Sequence, residues 1–556
     1  MKKTIFAFFA IISLLSLSVF AQSYAITNAK IVTVSGAPID KGTIIIRDGL
    51  IQNLGAGISI PADSQVIDAS GLTVYPGFFD AASGVGIAAA QQQQGQGRGQ
   101  GGGFPQQAQA QATQPQSNSN YPTGLQPEVS ASNLIKFDDA SVETARNGGF
   151  TTVLSVPRER IFNGQSALIN TAGDSASEMI LRSPVALHIS FVPLGGGYPT
   201  SMMGSFSALR QIFLDAQRLQ AWTNAYKKDP KGMKRPESDK SLEALFPLLN
   251  REVPAAFNAN SQIEIIRVLD FAKEFNLVPV IVGGQEAWKV TDRLKASKAT
   301  VLLSLNFPKR TSSNAPDADP EDLETLRFRV EVPKCAARLK QAGVPFAFQS
   351  GGATAADFLS NAAKTVENGL SKDDALRSMT LNSAKIFDVD DRLGSIEKGK
   401  IANLVVVRGD IFDRAKVITH VFVDGKMFEQ KPPAPTGGRF QRPSGGGDAP
   451  TTAPTSSTLN GAWNITVEVP GQTITGTINF SQQGDRLTGN VATTLGTSEI
   501  KNGKPTADGG FTFDTSVSFG GQTFDVTYTG KVNGNQISGT VNTPQGAIPF
   551  SGTKKP

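Results

Sequence analysis
The chain has 556 residues, 39% of them hydrophobic and 18% charged, with a formal net charge of +5. That length exceeds the roughly 100–200 residues of one domain, so several domains are expected. The weak charge excludes nucleic-acid binding through a basic surface. Cys335 is the only cysteine, which excludes an internal disulfide.

Met1-Lys2-Lys3 precedes an apolar run over residues 4–19 and the small-residue pattern Val19-Phe20-Ala21. This reads as a secretory signal over 1–21, with Gln22 first in the mature chain. The run is short for a hydrocarbon core about 30 Å thick, and polar Gln22 and Ser23 follow it. No later stretch is long and apolar enough to span a membrane. The expectation is an exported protein, periplasmic or extracellular.

Residues 22–78 predict short strands: Tyr24-Ala-Ile-Thr-Asn-Ala-Lys-Ile is β-rich, and Gly42-Thr-Ile-Ile-Ile-Arg-Asp-Gly closes on an Asp-Gly turn. Residues 386–430 have the same character, with Ala402-Asn-Leu-Val-Val-Val-Arg-Gly and the pair Asp424-Gly425. The two flanks together predict a small composite β-sandwich.

Residues 79–385 alternate between strand and helix. Strands are predicted at 151–156, 253–257, 278–282, 300–305 and 345–348. Helices are predicted at 141–147, after the capping box Ser261-x-x-Glu264, at 354–367, and after Ser371. Repeated βα units imply a parallel sheet, either a closed barrel or a doubly wound sheet. Without the insert at 89–125, the length is close to the roughly 250 residues of a (β/α)8 barrel. That insert, rich in Gln and Gly, has too few apolar groups to fold alone and is expected to be disordered. The mixed-charge run at 227–240 reads as a solvated surface loop. Cys335, in a helical segment, reads as a buried structural thiol.

Residues 431–458, rich in Pro, Gly, Ser and Thr, predict a linker. Beyond them, 459–556 alternate apolar and polar residues in about eight short runs, with Asn502-Gly503 and Asn533-Gly534 as turns. This predicts an antiparallel β-barrel or sandwich that resembles lipocalin-like modules. Ligand carriage and a purely structural role are both open for it.

Two segments carry a family resemblance. Gly71-Leu-Thr-Val-Tyr-Pro-Gly-Phe-Phe-Asp80-Ala81 opens the α/β region, and Gly394-Ser-Ile-Glu-Lys-Gly-Lys-Ile-Ala-Asn-Leu-Val-Val follows it. Both resemble the amidohydrolase superfamily, closest to its imidazolonepropionase and cyclic-imidase side. The resemblance implies a TIM-type (β/α)8 barrel and metal-dependent hydrolysis of non-peptide C–N bonds in amides or cyclic amides. The family's metal, usually zinc, lowers the pKa of bound water and polarises the scissile carbonyl.

In that family Pro-Gly-Phe-Ile-Asp is followed by His-x-His, whose side chains point the same way from one strand. Here those two positions are Ala82 and Gly84. The later ligand positions fall on Asn258, Gly283 and Gly351, and the whole chain has 2 histidines, His188 and His420. The expectation is therefore that no metal cofactor is held.

His188 lies on the apolar strand Ala186-Leu-His-Ile-Ser-Phe and His420 outside the barrel. Asp80, His188 and Glu286 are weak catalytic candidates, and an all-oxygen site built on Asp80 and Glu286 would suit Mg²⁺ or Ca²⁺. Serine catalysis would need His188 as base, and no Gly-x-Ser-x-Gly elbow is present. Asn163 and Gln165, in a polar loop after a strand, join Asn258 and Gln349 as candidates for binding a small polar ligand.

The leading expectation is a metal-free pseudoenzyme with a binding role, either as a homo-oligomer or paired with an intact amidohydrolase relative. The alternatives are an active C–N hydrolase with a non-standard site and a surface-interaction protein whose working part is the C-terminal β domain.

Overall fold
The computed structural model describes residues 23–87, 121, 124–157, 161–194, 198–309, 321–430 and 459–555, the last apart from 470–471, 484–485, 494–495, 506–509, 520–521, 534–535 and 544–545. The signal at 1–21, the linker at 431–458 and most of the insert at 89–125 lie outside the described residues. The chain divides into two units, 1–437 and 438–556.

The first unit starts with β1 (Tyr24–Ile31), β2 (Ile39–Arg47), β3 (Leu50–Gly55), β4 (Gln65–Asp68) and β5 (Leu72–Pro76). Its middle contributes β6 (Phe78–Ser83), β7 (Phe150–Ser155), β8 (Phe162–Gln165), β9 (Ala167–Asn170), β10 (Ile180–Arg182), β11 (Leu187–Ser190), β12 (Ala255–Ala259), β13 (Pro279–Gly283), β14 (Thr300–Ser304) and β15 (Phe346–Gln349). It closes with β16 (Leu404–Arg408), β17 (Val417–Val423) and β18 (Lys426–Glu429).

Strands from the two flanks form one sheet in the order β18-β17-β16-β5-β1-β2-β3, with β4 paired to β1. The Asp-Gly pairs make the reversals: Asp48 and Gly49, and Asp424 and Gly425, all have positive φ, which a type I′ hairpin turn requires. Asn403 ties this sheet to the middle. Its Nδ2 donates to Thr152 Oγ1 at 3.1 Å and to Asn170 Oδ1 at 2.8 Å, while its Oδ1 accepts from the Asp424 N–H at 2.8 Å.

The middle strands form two sheets, β10-β9-β7-β6 and β15-β14-β13-β12-β11-β8. β11 to β15 are all parallel, as are β6 and β7. Residues 162–170 bridge the sheets: β8 pairs antiparallel with β11, and β9, one residue further on, pairs antiparallel with β7. At the other edge, Asp80 of β6 accepts a hydrogen bond from the Ser350 N–H just beyond β15.

The side chains of these strands divide between two packed clusters. Leu154, Leu168, Ala186, Ala256, Leu302 and Ala347 share one cluster. Their neighbours Val153, Ile169, Leu187, Phe257, Val301 and Phe348 join the larger cluster that includes the helices. Alternate residues of a strand face opposite sides, so this split marks an inner and an outer face. Two helices matter for the site: Met202–Lys228, and Gln262–Glu274, the latter opened by the capping box of Ser261 and Glu264.

The segment Asn163-Gly-Gln-Ser, expected as a loop, is strand: Asn163 and Gln165 lie on β8, and Ser166 joins it to β9. These polar residues tolerate strand burial because other strands supply their hydrogen bonds.

The second unit contains β19 (Gly461–Val469), β20 (Gln472–Gln483), β21 (Arg486–Thr493), β22 (Gly496–Glu499), β23 (Lys501–Pro505), β24 (Gly510–Phe519), β25 (Gln522–Asn533), β26 (Gln536–Thr543) and β27 (Gly546–Lys554). Eight of them close an antiparallel barrel, because β20 pairs with both β19 and β21, and β22 adds to β21. Asn502-Gly503 is not a hairpin turn. It sits inside β23, where the register shifts between Lys501 and Lys504 and Asn502 has φ +52°. The same residue pair that suits a turn also suits a bulge. Trp463, Phe480, Phe511, Phe513, Tyr528 and Phe550 share one buried cluster with the alternating aliphatic residues. The Phe513 and Tyr528 rings stack at 4.9 Å, and burial pushes the Tyr528 phenol up to about 12.

Candidate functional site
The C-terminal ends of the parallel strands collect most of the polar candidates. Ser190, the last residue of β11, links two of them: its Oγ donates to Asn163 Oδ1 at 3.3 Å and accepts from Asn258 Nδ2 at 2.6 Å. Asn163 and Ser190 are buried, whereas Asn258 is exposed. Ser190 stands two residues after His188, so strand parity alone puts both on one face.

His188 is fully buried, and its Nε2 lies 3.0 Å from Ser166 Oγ. Ser166 is equally buried; its hydroxyl donates to the Ala186 carbonyl and accepts from the Ala186 N–H, each at 3.2 Å. The consistent tautomer has Nε2–H donating to Ser166 Oγ, because the hydroxyl proton is then free for Ala186. Nδ1 has no hydrogen-bond partner. Burial alone pulls the imidazole down to about 3, so it stays neutral near pH 7. A serine and a histidine in contact would suit nucleophilic catalysis if a substrate could reach them. Neither has any exposed surface, so here the pair staples β11 to the 162–170 strand.

Asp80 is buried at the β6 edge. Its Oδ1 accepts from the Ser350 N–H at 2.8 Å and, more weakly, from the Ala82 N–H at 3.4 Å. Gln349, also buried, accepts from the Gly351 N–H at 2.6 Å. Glu286 stands apart, in the loop after β13. It accepts from the Gln262 N–H at 2.7 Å and pairs with Lys289 at 2.6 Å. The Gln165 N–H is spent on the Val129 carbonyl. The mouth thus gathers Asn163, Ser190 and Asn258 on one side and Asp80, Gln349 and Gly351 on another, with Glu286 engaged elsewhere. Among the described residues, no three His, Cys, Asp or Glu side chains form a group able to hold a metal.

Two glycines that stand where the resemblance implies metal ligands sit in constrained backbone. Gly283 has φ +109° and Gly351 φ +61°, a region L side chains rarely adopt. A Cβ at 283 would collide with Asn260 Oδ1, and one at 351 with Ser304 Oγ. Ala82 is packed in the inner apolar cluster. Ala82, Gly283 and Gly351 thus offer no donor to a divalent ion, and at 283 and 351 the positive φ strains any side chain that would supply one. Ser190 and Ser304 escaped the sequence reading, and Ser166 entered it only as part of the polar loop after Asn163. Only Ser190, by its spacing from His188, left a signal.

Residues 305–428 match the model of the amidohydrolase family. An amidohydrolase from Thermotoga maritima MSB8 is 25% identical, covering 73% of this chain and 100% of that one, with a TM-score of 0.59. Molinate hydrolase, at 16% identity over 73% of this chain and 95% of that one, has a TM-score of 0.40. β-Aspartyl dipeptidase from Fervidobacterium islandicum-AW-1, at 14% over 74% and 97%, has 0.39. No curated protein matches the sequence. The first unit is amidohydrolase-like: it carries the family's segment at 305–428 and resembles a solved amidohydrolase along that structure's whole length.

Proposed function
We propose that the first unit is an amidohydrolase-type (β/α)8 barrel, with the 162–170 segment as one reversed stave, that has given up metal-dependent C–N hydrolysis and works by binding a small ligand. The observation that carries this reading is at Gly283 and Gly351. Neither glycine carries a donor, and at both positions the positive φ strains any side chain, which would also have to displace Asn260 Oδ1 or Ser304 Oγ. Burial of Ser166 and His188 supports it further, since this hydroxyl–imidazole pair is shut away from substrate.

A second reading rests on Asp80, a buried carboxylate at the mouth of the kind that general acid–base chemistry uses. It makes the protein a C–N hydrolase with a non-standard site. Assaying amide and cyclic-amide hydrolysis with added zinc, and again with chelator, separates the two. Turnover at the blank rate in both supports the binding role, and turnover lost in Asp80→Asn supports the hydrolase.

The leader at 1–21 supports export to a periplasm or the cell exterior. Among the described residues no helix is long and apolar enough to cross a membrane. The aromatic filling of the C-terminal barrel favours a structural appendage over lipocalin-like carriage, because side chains occupy the space a ligand would need. Self-association and pairing with an intact relative are both compatible with a non-catalytic barrel, and sedimentation of the purified chain with and without such a relative distinguishes them.

A further inference from the structure
On the Ser190 and Asn258 side of the strand ends, off the line of the glycine positions on β13 and after β15, lies an open pocket of 120 Å³. It sits between the ends of β11 and β12 and the first turns of helices Met202–Lys228 and Gln262–Glu274. Two of its walls are aromatic: the Phe191 and Phe206 rings stack with centroids 4.1 Å apart. Val192 and Met202 form an apolar lip, 44% and 41% exposed.

The polar part is asymmetric. Glu264 is spent on its helix cap, where one carboxylate oxygen accepts from the Asn260 and Ser261 N–H groups at 2.8 and 2.9 Å. Arg267, one turn further along the same helix, is exposed and makes a 3.2 Å contact with Met202 Sδ. It belongs to none of the ion pairs formed among the described residues. A guanidinium is always charged and presents a planar fork matched to a carboxylate. One Nδ2 hydrogen of Asn258 is engaged by buried Ser190, which leaves the other to donate.

We propose that this pocket binds a small monocarboxylate with a single-ring or branched apolar body. The carboxylate lies on Arg267 with help from Asn258, and the body lies against Phe206 and Phe191. At 120 Å³ the pocket is smaller than an enclosed apolar cavity of about 150 Å³, which takes one benzene ring, so part of the ligand stays in its open side. The proposal deepens the binding reading above; of the positions that argue against the metal it shares Asn258 alone, and its charge and aromatic contacts come from Arg267, Phe191 and Phe206.

Phenylacetate is the probe, titrated calorimetrically into the full chain. Saturable binding is expected, weakened roughly tenfold or more in Arg267→Gln, an exposed site where the change spares the core. The neutral 2-phenylethanol, which keeps the ring and loses the charge, is expected to bind at least about tenfold more weakly than phenylacetate. Phe206→Ala should also weaken phenylacetate. Absence of saturable binding, or equal affinity in Arg267→Gln, overturns the proposal. Either result leaves the metal-free reading intact, because that reading is tested by elemental content; bound zinc would overturn it without touching this pocket.

Discussion

Ser166 Oγ and His188 Nε2 meet at 3.0 Å across two antiparallel strands, and neither residue has measurable exposure. The contact that would define a catalytic dyad in an open cleft here fixes the reversed 162–170 segment onto the first of five parallel strands. Its consequence is a dependence of stability on pH.

An imidazole held near 3 in the fold and near 6.5 in the unfolded chain binds protons mainly when unfolded. Its contribution is therefore fully present above about pH 6.5 and is lost as pH falls toward 3. Between pH 6.5 and 5 the loss is about 2 kcal/mol. Urea denaturation at both pH values should show this drop in the wild type and a smaller one in His188→Asn. Equal slopes would mean that His188 protonates in place.

Restoring side chains at the glycine positions should cost stability without recruiting metal. Gly351→Asp must adopt left-handed backbone against Ser304 and should lose about 1–3 kcal/mol. Thermal melts with and without zinc check both halves, and a zinc-dependent rise in Tm would show that the site can be rebuilt.

The junction between the flank sheet and the middle strands should depend on Asn403. Replacing it with Ala strips buried Thr152 and Asn170 and the Asp424 N–H of their shared partner, an expected loss of about 2–4 kcal/mol. Asn403→Asp keeps the acceptor for the Asp424 N–H but buries a carboxylate against Asn170 Oδ1, and should lose no less. Chemical denaturation of the three proteins gives the order directly.

Much of this architecture was legible because the signals were local. Pro76-Gly77 leads straight into β6, Gly399-Lys-Ile-Ala leads into β16, and Ser261 with Glu264 caps its helix through a pattern four residues long. The reversed strand was hidden because Asn163, Gln165 and Ser166 look like loop until distant residues supply their partners. Asn502-Gly503 misled for a related reason: its backbone preference is real, but pairing with Leu487 makes it a bulge. The pocket of Phe191, Phe206 and Arg267 joins a strand end to two helices, a proximity that no local pattern encodes.

In the second unit, Trp463 is fully buried in the aromatic cluster, and its Nε1–H donates to the Leu459 carbonyl at 3.1 Å. Trp463→Ala should cost about 3–5 kcal/mol in that barrel. Calorimetry of the full chain should show the transition of this unit lowered, and an unchanged thermogram would contradict the packed interior.

The central proposal is that the first unit holds no metal at the strand ends where its resemblance to amidohydrolases implies one. Elemental analysis of the mature protein, purified without chelators and then incubated with zinc and desalted, tests it most directly. Far less than one equivalent of Zn, Mn, Fe or Ni per chain is the predicted result. Close to one equivalent, lost in Asp80→Asn or His188→Asn, would contradict it and restore the hydrolase reading.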